Sequence, residues 1–132
     1  MRKRLLARVL SPAAWYGRPR HYQRHFRARM TRLFTDFDVL LAPYTPFAAQ
    51  RFTDATVTVG GQELEPAKHL LMLTQPVSFG GLPVVTAPVL RGSHVPFSVQ
   101  IIGAPFAEPE CFAAAGSIEQ CLMNTSRTSI EL

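Results

Sequence analysis

The chain has little cysteine, no long apolar run and no acidic residue near its start. Its two cysteines, Cys111 and Cys121, are ten positions apart in one predicted helix, a separation of about 15 Å that is too long for a disulfide within that helix. We therefore expect both to be buried reduced thiols, which suits a cytoplasmic protein. No window approaches the roughly 18 consecutive apolar residues that a membrane-spanning helix needs, so we expect no transmembrane segment.

Motifs for nucleophilic catalysis are also missing. No Gly-x-Ser-x-Gly occurs, and Ser78 follows Pro76 and Val77 rather than the glycine that begins a nucleophile elbow. The two lysines, Lys3 and Lys68, lie outside any Ser-x-x-Lys pattern that would activate a serine, and we interpret both as solvated charges. We therefore assign no catalytic residue to this chain.

Patterns for metal and nucleotide binding are incomplete. His21 and His25 have the i, i+4 spacing of a zinc-binding pair, but no glutamate base and no third ligand accompany them. Gly60-Gly61 and Gly80-Gly81 lack the flanking lysine and the strand-to-helix context of a phosphate-binding loop. We expect neither a metal nor a cofactor.

Positive charge is concentrated at the start of the chain. Residues 1–32 hold ten of the fourteen Lys and Arg residues and no acid, so the other hundred residues carry four basic and nine acidic side chains. Such asymmetry is typical of nucleic-acid binding, of an anionic membrane surface or of a targeting segment. A targeting peptide would be rich in serine, and Ser11 is the only serine in this region. We treat residues 1–19 as a basic N-terminal segment.

A helix predicted from Arg20 to Phe34 accounts for much of this charge, because Gly17 and Pro19 interrupt the pattern before it. Its basic and apolar side chains form separate stripes, as in an amphipathic helix. The basic stripe is Arg20, Arg24 and Arg27, and the apolar stripe is Tyr22, Phe26, Met30 and Leu33. We interpret the basic stripe as a solvated face and do not expect nucleic acid to bind.

Apolar runs bounded by glycine, proline and acidic residues predict the strands of an α/β fold. The expected strands of the main sheet are Val39–Ala42, Val84–Val89 and Phe97–Ile102, with a turn at Arg91–Pro96 between the last two. A further strand at Thr53–Val59 would end in the Gly60-Gly61 turn, outside that sheet.

Helical spacing predicts two further segments. Pro66–Leu73 would form a brief helical turn with Leu70, Leu71 and Leu73 buried. Glu108–Met123 would form a helix that packs Phe112, Ala115, Ile118 and Leu122 on the sheet. We expect a loop at Thr74–Gly81 and a frayed tail at residues 124–132.

Three motifs carry a family resemblance. They are Asp38-Val39-Leu40-Leu41-Ala42-Pro43, then Gly81-Leu82-Pro83-Val84-Val85-Thr86-Ala87-Pro88, then Val95-Pro96-Phe97-Ser98-Val99-Gln100-Ile101-Ile102-Gly103. In this order they resemble the C-terminal part of an amidase signature enzyme. The resemblance implies that residues 20–123 are an incomplete amidase domain, with a few strands of a larger mixed sheet flanked by helices. Ala13–Tyr16 and Thr74–Phe79 resemble the carboxybiuret hydrolase branch, and the glutamyl-tRNA amidotransferase A subunit is a more distant relative.

The resemblance implies a function for the complete enzyme. It is the hydrolysis of a C–N amide bond by a serine nucleophile, whose Ser–Ser–Lys triad belongs to a Gly/Ser-rich half that these 132 residues lack. We expect this chain to be a truncated fragment that is inactive alone. The missing N-terminal half, or a second copy of the chain, would cover its exposed sheet edges. The alternatives are a docking partner that completes a split amidase and a basic-helix module that binds RNA or anionic lipid.

Five residues at strand ends and in adjoining loops are candidates for facing a substrate. They are Tyr44, Thr45, Gln75, Ser78 and Gln100. The amidase signature family, which this chain resembles, usually has asparagine at the position of Ser78. A structural interpretation competes with this one, because Thr45 can cap a turn and Gln100 can satisfy buried backbone groups.

Overall fold

The computed structural model describes residues 14–89 and 97–128, in which helices and strands are mixed. The elements in chain order are helix α1 (Ala14–Leu33), strands β1 (Val39–Pro43), β2 (Val57–Val59) and β3 (Gln62–Leu64), helices α2 (Pro66–His69) and α3 (Gln75–Gly80), strands β4 (Val84–Val89) and β5 (Phe97–Gly103), and helix α4 (Glu108–Thr128). The predicted α/β class and the three predicted strands of the main sheet are confirmed.

The main sheet has three strands in the order β1-β5-β4. Both neighbours of β5 run antiparallel to it, and Ile101 lies opposite Leu41 of β1 and Val85 of β4. β2 and β3 form a separate antiparallel hairpin whose turn contains Gly60 and Gly61, both with positive φ. As predicted, strand β2 and its turn lie outside the main sheet, but the strand covers only Val57–Val59 rather than Thr53–Val59, and its partner β3 was not predicted. β1 and β4 are edge strands of that sheet as the described residues form it.

The core lies on both faces of the sheet, because consecutive residues of β5 point in opposite directions. Ile101 packs with Ala87 on the face covered by Cys111 and Ala115 of α4. Ile102 packs on the other face with Val77 of α3 and Leu82, and residues of α1 and β1 surround them. The sheet is therefore covered by α4 on one side and by α3 and the end of α1 on the other.

The approach of α4 to the sheet explains one wrong prediction. Phe112 was expected to pack on the sheet, but it is 64% exposed, and Cys111 takes the buried position. A Cβ atom on Gly103 would lie 2.5 Å from Cys111 Sγ, so helix and strand are too close for a phenyl ring between them. Ala115 and Ile118 pack on the sheet as predicted.

Helix ends also differ from the predictions. α1 begins at Ala14 and includes Pro19 in its second turn, so the expected interruption there is wrong. The segment predicted as a loop at Thr74–Gly81 contains α3, which ends at Gly80 and is capped by Gly81 in the left-handed conformation. α4 continues to Thr128, beyond the predicted end at Met123. The division into segments 1–19, 20–123 and 124–132 stays a prediction.

Several side chains that were expected to be buried are exposed. Leu70 and Leu71 follow the short helix α2 and lie at the surface. Tyr22 is 62% exposed and Leu33 is also exposed, whereas Phe26, Met30 and Phe34 are half-buried. Cys121 is exposed rather than buried.

Some predictions fall outside the described residues. These are the start of the basic segment at residues 1–13, the turn at Arg91–Pro96 and the last four residues of the tail. Within residues 14–89 and 97–128, no helix is both long enough and apolar enough to cross a membrane.

Candidate functional site

The loop that follows β1 forms one wall of a cavity of about 680 Å³. Tyr44 and Thr45 line it together with Leu70, Phe97 and Ser98. The loop is held to the sheet because the Tyr44 backbone N–H donates a 3.0 Å hydrogen bond to the Ser98 carbonyl. Thr45 Oγ1 donates to the Phe47 carbonyl at 2.8 Å, which is the turn-capping role left open by the sequence. Both candidates therefore lie at the edge of one concave surface.

Gln75 lies at a second hollow, formed where α1 and α3 meet. It lines a space of about 560 Å³ together with Tyr22, Phe26, Pro76 and Phe79. The Phe79 ring centroid is 6.0 Å from that of Tyr22 and 5.8 Å from that of Phe26, distances typical of favourable aromatic contacts. This aromatic cluster of Tyr22, Phe26 and Phe79 joins the two helices, so the hollow is mainly apolar.

Ser78 lies on the exposed side of α3. Its carbonyl accepts a hydrogen bond from Gly81 N–H at 3.2 Å, which closes the end of the helix. Within the described part of the chain, no side chain forms a hydrogen bond with Ser78 Oγ that would activate it as a nucleophile. That Ser78 has no catalytic role stays a prediction.

Gln100 differs from the other four candidates because its side chain is 1% exposed. Its Nε2 donates one hydrogen bond to the Pro43 carbonyl at 2.9 Å and another to the Leu73 carbonyl at 3.2 Å. These are partly buried contacts to backbone carbonyls, which is the structural role that the sequence left open. The side chain is enclosed by the fold and reaches neither hollow directly.

The five candidates therefore do not form one cluster in the described residues. Tyr44 and Thr45 lie at the first cavity, Gln75 lies at the second hollow, Ser78 is on the surface, and Gln100 is buried beneath. Sequence reasoning did not single out Phe79, which joins α1 to α3. The signal was present, since Phe79 is an aromatic residue inside the Thr74–Phe79 motif.

The surroundings of Lys68, His21 and His25 bear on catalysis and metal binding. Lys68 forms an ion pair with Glu65 at 2.6 Å, and its side chain is 66% exposed. His21 and His25 are exposed on α1. Over the two described ranges, no three His, Cys, Asp or Glu side chains are grouped closely enough to hold a metal ion.

The pKa of one buried thiol is perturbed. Burial raises the pKa of Cys111 above its ordinary value, and the Glu108 and Glu110 carboxylates raise it further. Both effects disfavour the thiolate, which is the reactive form of cysteine. Cys111 is therefore a packing residue of the α4 interface rather than a nucleophile.

Comparison with known proteins identifies the family. The family model described as Amidase matches residues 2–112, which is most of the chain. This chain belongs to the amidase family. The amidase resemblance that the three sequence motifs carry is thus confirmed.

The chain is similar to only part of each relative. It is 40% identical over 113 residues to AtzE, the 1-carboxybiuret hydrolase subunit of Pseudomonas sp. (strain ADP), covering 84% of this chain and 25% of that protein. It is 29% identical over 110 residues to the A subunit of the glutamyl-tRNA(Gln) amidotransferase of Syntrophomonas wolfei, covering 81% of this chain and 21% of that protein. This amidase chain therefore spans about a quarter of the length of the relatives it matches.

A solved structure supports the same correspondence. It was described as an unexpected vestigial protein complex that reveals the evolutionary origins of an s-triazine catabolic enzyme, in an inhibitor-bound form. The TM-score is 0.81 with 37% sequence identity, over 90% of this chain and 26% of that one. This chain therefore has the fold of about a quarter of that solved chain.

Proposed function

We propose that this chain supplies the C-terminal part of an amidase-signature hydrolase and has no hydrolytic activity alone. In the complete enzyme a serine would attack the carbonyl of a C–N amide bond, the amine would leave, and water would release the acyl group from the serine. The observation that carries this proposal is the structural match of 90% of this chain to about a quarter of a solved relative.

The position of Lys68 supports the absence of activity. A lysine that activates a serine has to lie within hydrogen-bond reach of it, whereas Lys68 is on the surface and paired with Glu65. The only other lysine is Lys3, in the basic N-terminal segment. We therefore propose that the catalytic groups are residues outside this chain. The loop that begins at Tyr44 and the helix α3 that begins at Gln75 would form walls of the substrate site.

One relative supports a proposal for the substrate class. It belongs to a 1-carboxybiuret hydrolase, and it shares 40% of the aligned residues. We therefore propose a small urea-type or amide compound as the substrate, rather than a peptide or a nucleic acid. We also propose a cytoplasmic location, where both Cys111 and Cys121 would stay reduced.

A second candidate function is that of a docking partner in a split amidase. β1 and β4 are edge strands of the described sheet, and they carry the exposed apolar residues Leu41 and Val84. A solved relative is itself described as part of a protein complex. An exposed strand edge with apolar side chains is a ready surface for another polypeptide, and a segment carrying the rest of an amidase fold would suit it.

The experiment uses the purified chain and the remaining three quarters of the Pseudomonas AtzE protein. Hydrolysis of 1-carboxybiuret is measured, as loss of the compound, with each piece alone and with the two mixed. We expect activity only in the mixture, together with co-elution of the two pieces on gel filtration. Hydrolysis by the purified chain alone would contradict the proposal, and so would an inactive mixture whose pieces co-elute.

A further inference from the structure

Gln100 connects three distant parts of the chain. It is the only polar residue among the fully buried residues of the described part. Its Nε2 has two protons, and each is donated to a backbone carbonyl: that of Pro43, 57 positions earlier, and that of Leu73, 27 positions earlier. A single side chain thus joins β5 to the end of β1 and to the segment before α3.

The two bonded carbonyls precede the two candidate surfaces. Pro43 is followed by Tyr44 and Thr45, which line the cavity of about 680 Å³. Leu73 precedes Thr74 and Gln75, where α3 begins, and Gln75 lines the hollow of about 560 Å³. Gln100 therefore lies in the core next to the segments that lead into both surfaces. Its two hydrogen bonds connect those segments to β5.

The contacts require the donor end of the side chain. Oε1 of Gln100 is buried and accepts no hydrogen bond from the described residues, whereas both Nε2 protons are used. Asparagine is shorter by one methylene, glutamate replaces the donor by an acceptor, and methionine fills a similar volume without any donor. Glutamine is therefore the residue whose length and two donors match two carbonyls at this place.

We propose that Gln100 is a positioning residue that holds the Tyr44–Thr45 turn and the start of α3 in one relative arrangement. This inference rests on the proposed function, in which these two segments are walls of the substrate site. Gln100 would act through them, since it is enclosed by the fold and touches neither hollow. Loss of its two bonds should leave the sheet intact but release both segments together.

The first experiment measures hydrogen–deuterium exchange by mass spectrometry on the wild-type chain and on Gln100→Met. Exchange of the peptides covering residues 44–56 and 70–81 is expected to rise about tenfold, because each loses an anchoring hydrogen bond. Exchange across residues 108–123 should stay within about twofold of wild type. The control is Ile102→Val, on the same strand, which removes a buried methyl group but no hydrogen bond.

The result separates positioning from a general loss of stability. An equal rise in all peptides of Gln100→Met, or no rise in the two loop peptides, would overturn the proposal. If Gln100→Met does not fold, Gln100→Glu is used with exchange compared to wild type at each pH. The introduced carboxyl group donates one hydrogen bond when protonated and none when ionised. Its loops should therefore approach wild-type exchange at acidic pH, and a pH-independent difference would contradict the donor role.

The second experiment connects the contacts to the reaction. In the mixture with the rest of the Pseudomonas relative, kcat/KM of Gln100→Met should fall about tenfold, whereas Ile102→Val should stay within about twofold. Equal kcat/KM for Gln100→Met and wild type would overturn the positioning role. An inactive, co-eluting wild-type mixture would instead overturn the proposed function, while the exchange data would still decide whether Gln100 holds the two segments.

Discussion

Gln23 Nε2 donates a 2.7 Å hydrogen bond to the carbonyl oxygen of Phe79, a residue 56 positions further along the chain. The contact joins α1 to α3 at a point where α3 is near its end. α1 is amphipathic and carries its basic residues on the outer side, so this partly buried bond and the neighbouring aromatic rings decide how the helix is oriented.

Replacement of Gln23 by alanine tests that bond. Gln23→Ala should lower the free energy of unfolding by about 1 kcal/mol, because the Phe79 carbonyl loses a partner in a partly buried place. Chemical denaturation followed by circular dichroism measures it. Arg24→Ala is the matched control, since the neighbouring position is exposed and should change stability by less than about 0.5 kcal/mol. Equal effects of the two substitutions would show that the bond does not stabilise the helix pair.

The aromatic cluster around Phe79 should contribute more than the single hydrogen bond. Phe79→Ala removes ring contacts with both Tyr22 and Phe26, and we expect a loss of about 2–3 kcal/mol. Phe52→Ala is the control, because Phe52 is fully exposed and should be nearly neutral. Thermal unfolding of the two variants measures the difference. A Phe79→Ala variant as stable as the Phe52→Ala variant would mean that the cluster does not join α1 to α3.

The strands were predictable from sequence because their signals are local. Val84–Val89 and Val39–Ala42 are rich in β-branched and aliphatic residues and are bounded by proline or acidic residues, which suits short buried strands. The motifs that carry the amidase resemblance lie in the same segments. α3 was not predicted because its six residues are too few to establish a helical period. In addition, Gly80-Gly81 is as typical of a loop as of a helix end.

Burial was less predictable because it depends on what lies opposite a side chain. Phe112 and Cys111 are neighbours on α4, and periodicity alone favoured the larger apolar residue as the buried one. The absence of a side chain at Gly103 lets α4 approach so closely that only a small residue fits there. Prediction of the candidate site was limited in the same way. The sequence indicated Gln100 as a candidate but could not indicate which two carbonyls it contacts.

The two cysteines should differ in reactivity. Cys111 is fully buried with a raised pKa, whereas Cys121 is exposed, so iodoacetamide at neutral pH should modify Cys121 and leave Cys111 protected until the chain unfolds. Mass spectrometry of the alkylated chain measures this. Modification of both thiols at equal rates would contradict the buried position of Cys111.

The raised pKa of Cys111 predicts that the folded chain loses stability at alkaline pH. Because the pKa of Cys111 is higher in the folded chain than its ordinary value of 9.0, the unfolded chain releases that proton first as the pH rises. The contribution of the Cys111 thiol to the free energy of unfolding is fully present below pH 9.0. It is lost as the pH rises through the higher pKa that the thiol has in the folded chain. Cys111→Ala should therefore show a smaller decrease in unfolding free energy than wild type between neutral and alkaline pH. An identical decrease in both would contradict the assignment.

Two glycines should respond in opposite directions to substitution by alanine. At Gly103 the added Cβ would lie 2.5 Å from Cys111 Sγ and 3.0 Å from the Ala107 carbonyl oxygen, and the second of these atoms is backbone that cannot rotate away. Gly103→Ala should therefore destabilise the chain by about 2–3 kcal/mol, since α4 would have to move off the sheet. At Gly116, inside α4, the added Cβ would have no described atom within 4 Å apart from its chain neighbours and the backbone of its own helix.

Gly116→Ala should therefore stabilise the chain by about 0.5–1 kcal/mol, because alanine loses less backbone freedom in a helix than glycine. Chemical denaturation of both variants measures the two effects under the same conditions. A double variant with Cys111→Ala should recover part of the loss at Gly103, because the nearest clash is with the Cys111 sulfur. If Gly103→Ala is neutral, α4 does not pack against β5 at the distance described, and the explanation for the exposed Phe112 fails with it.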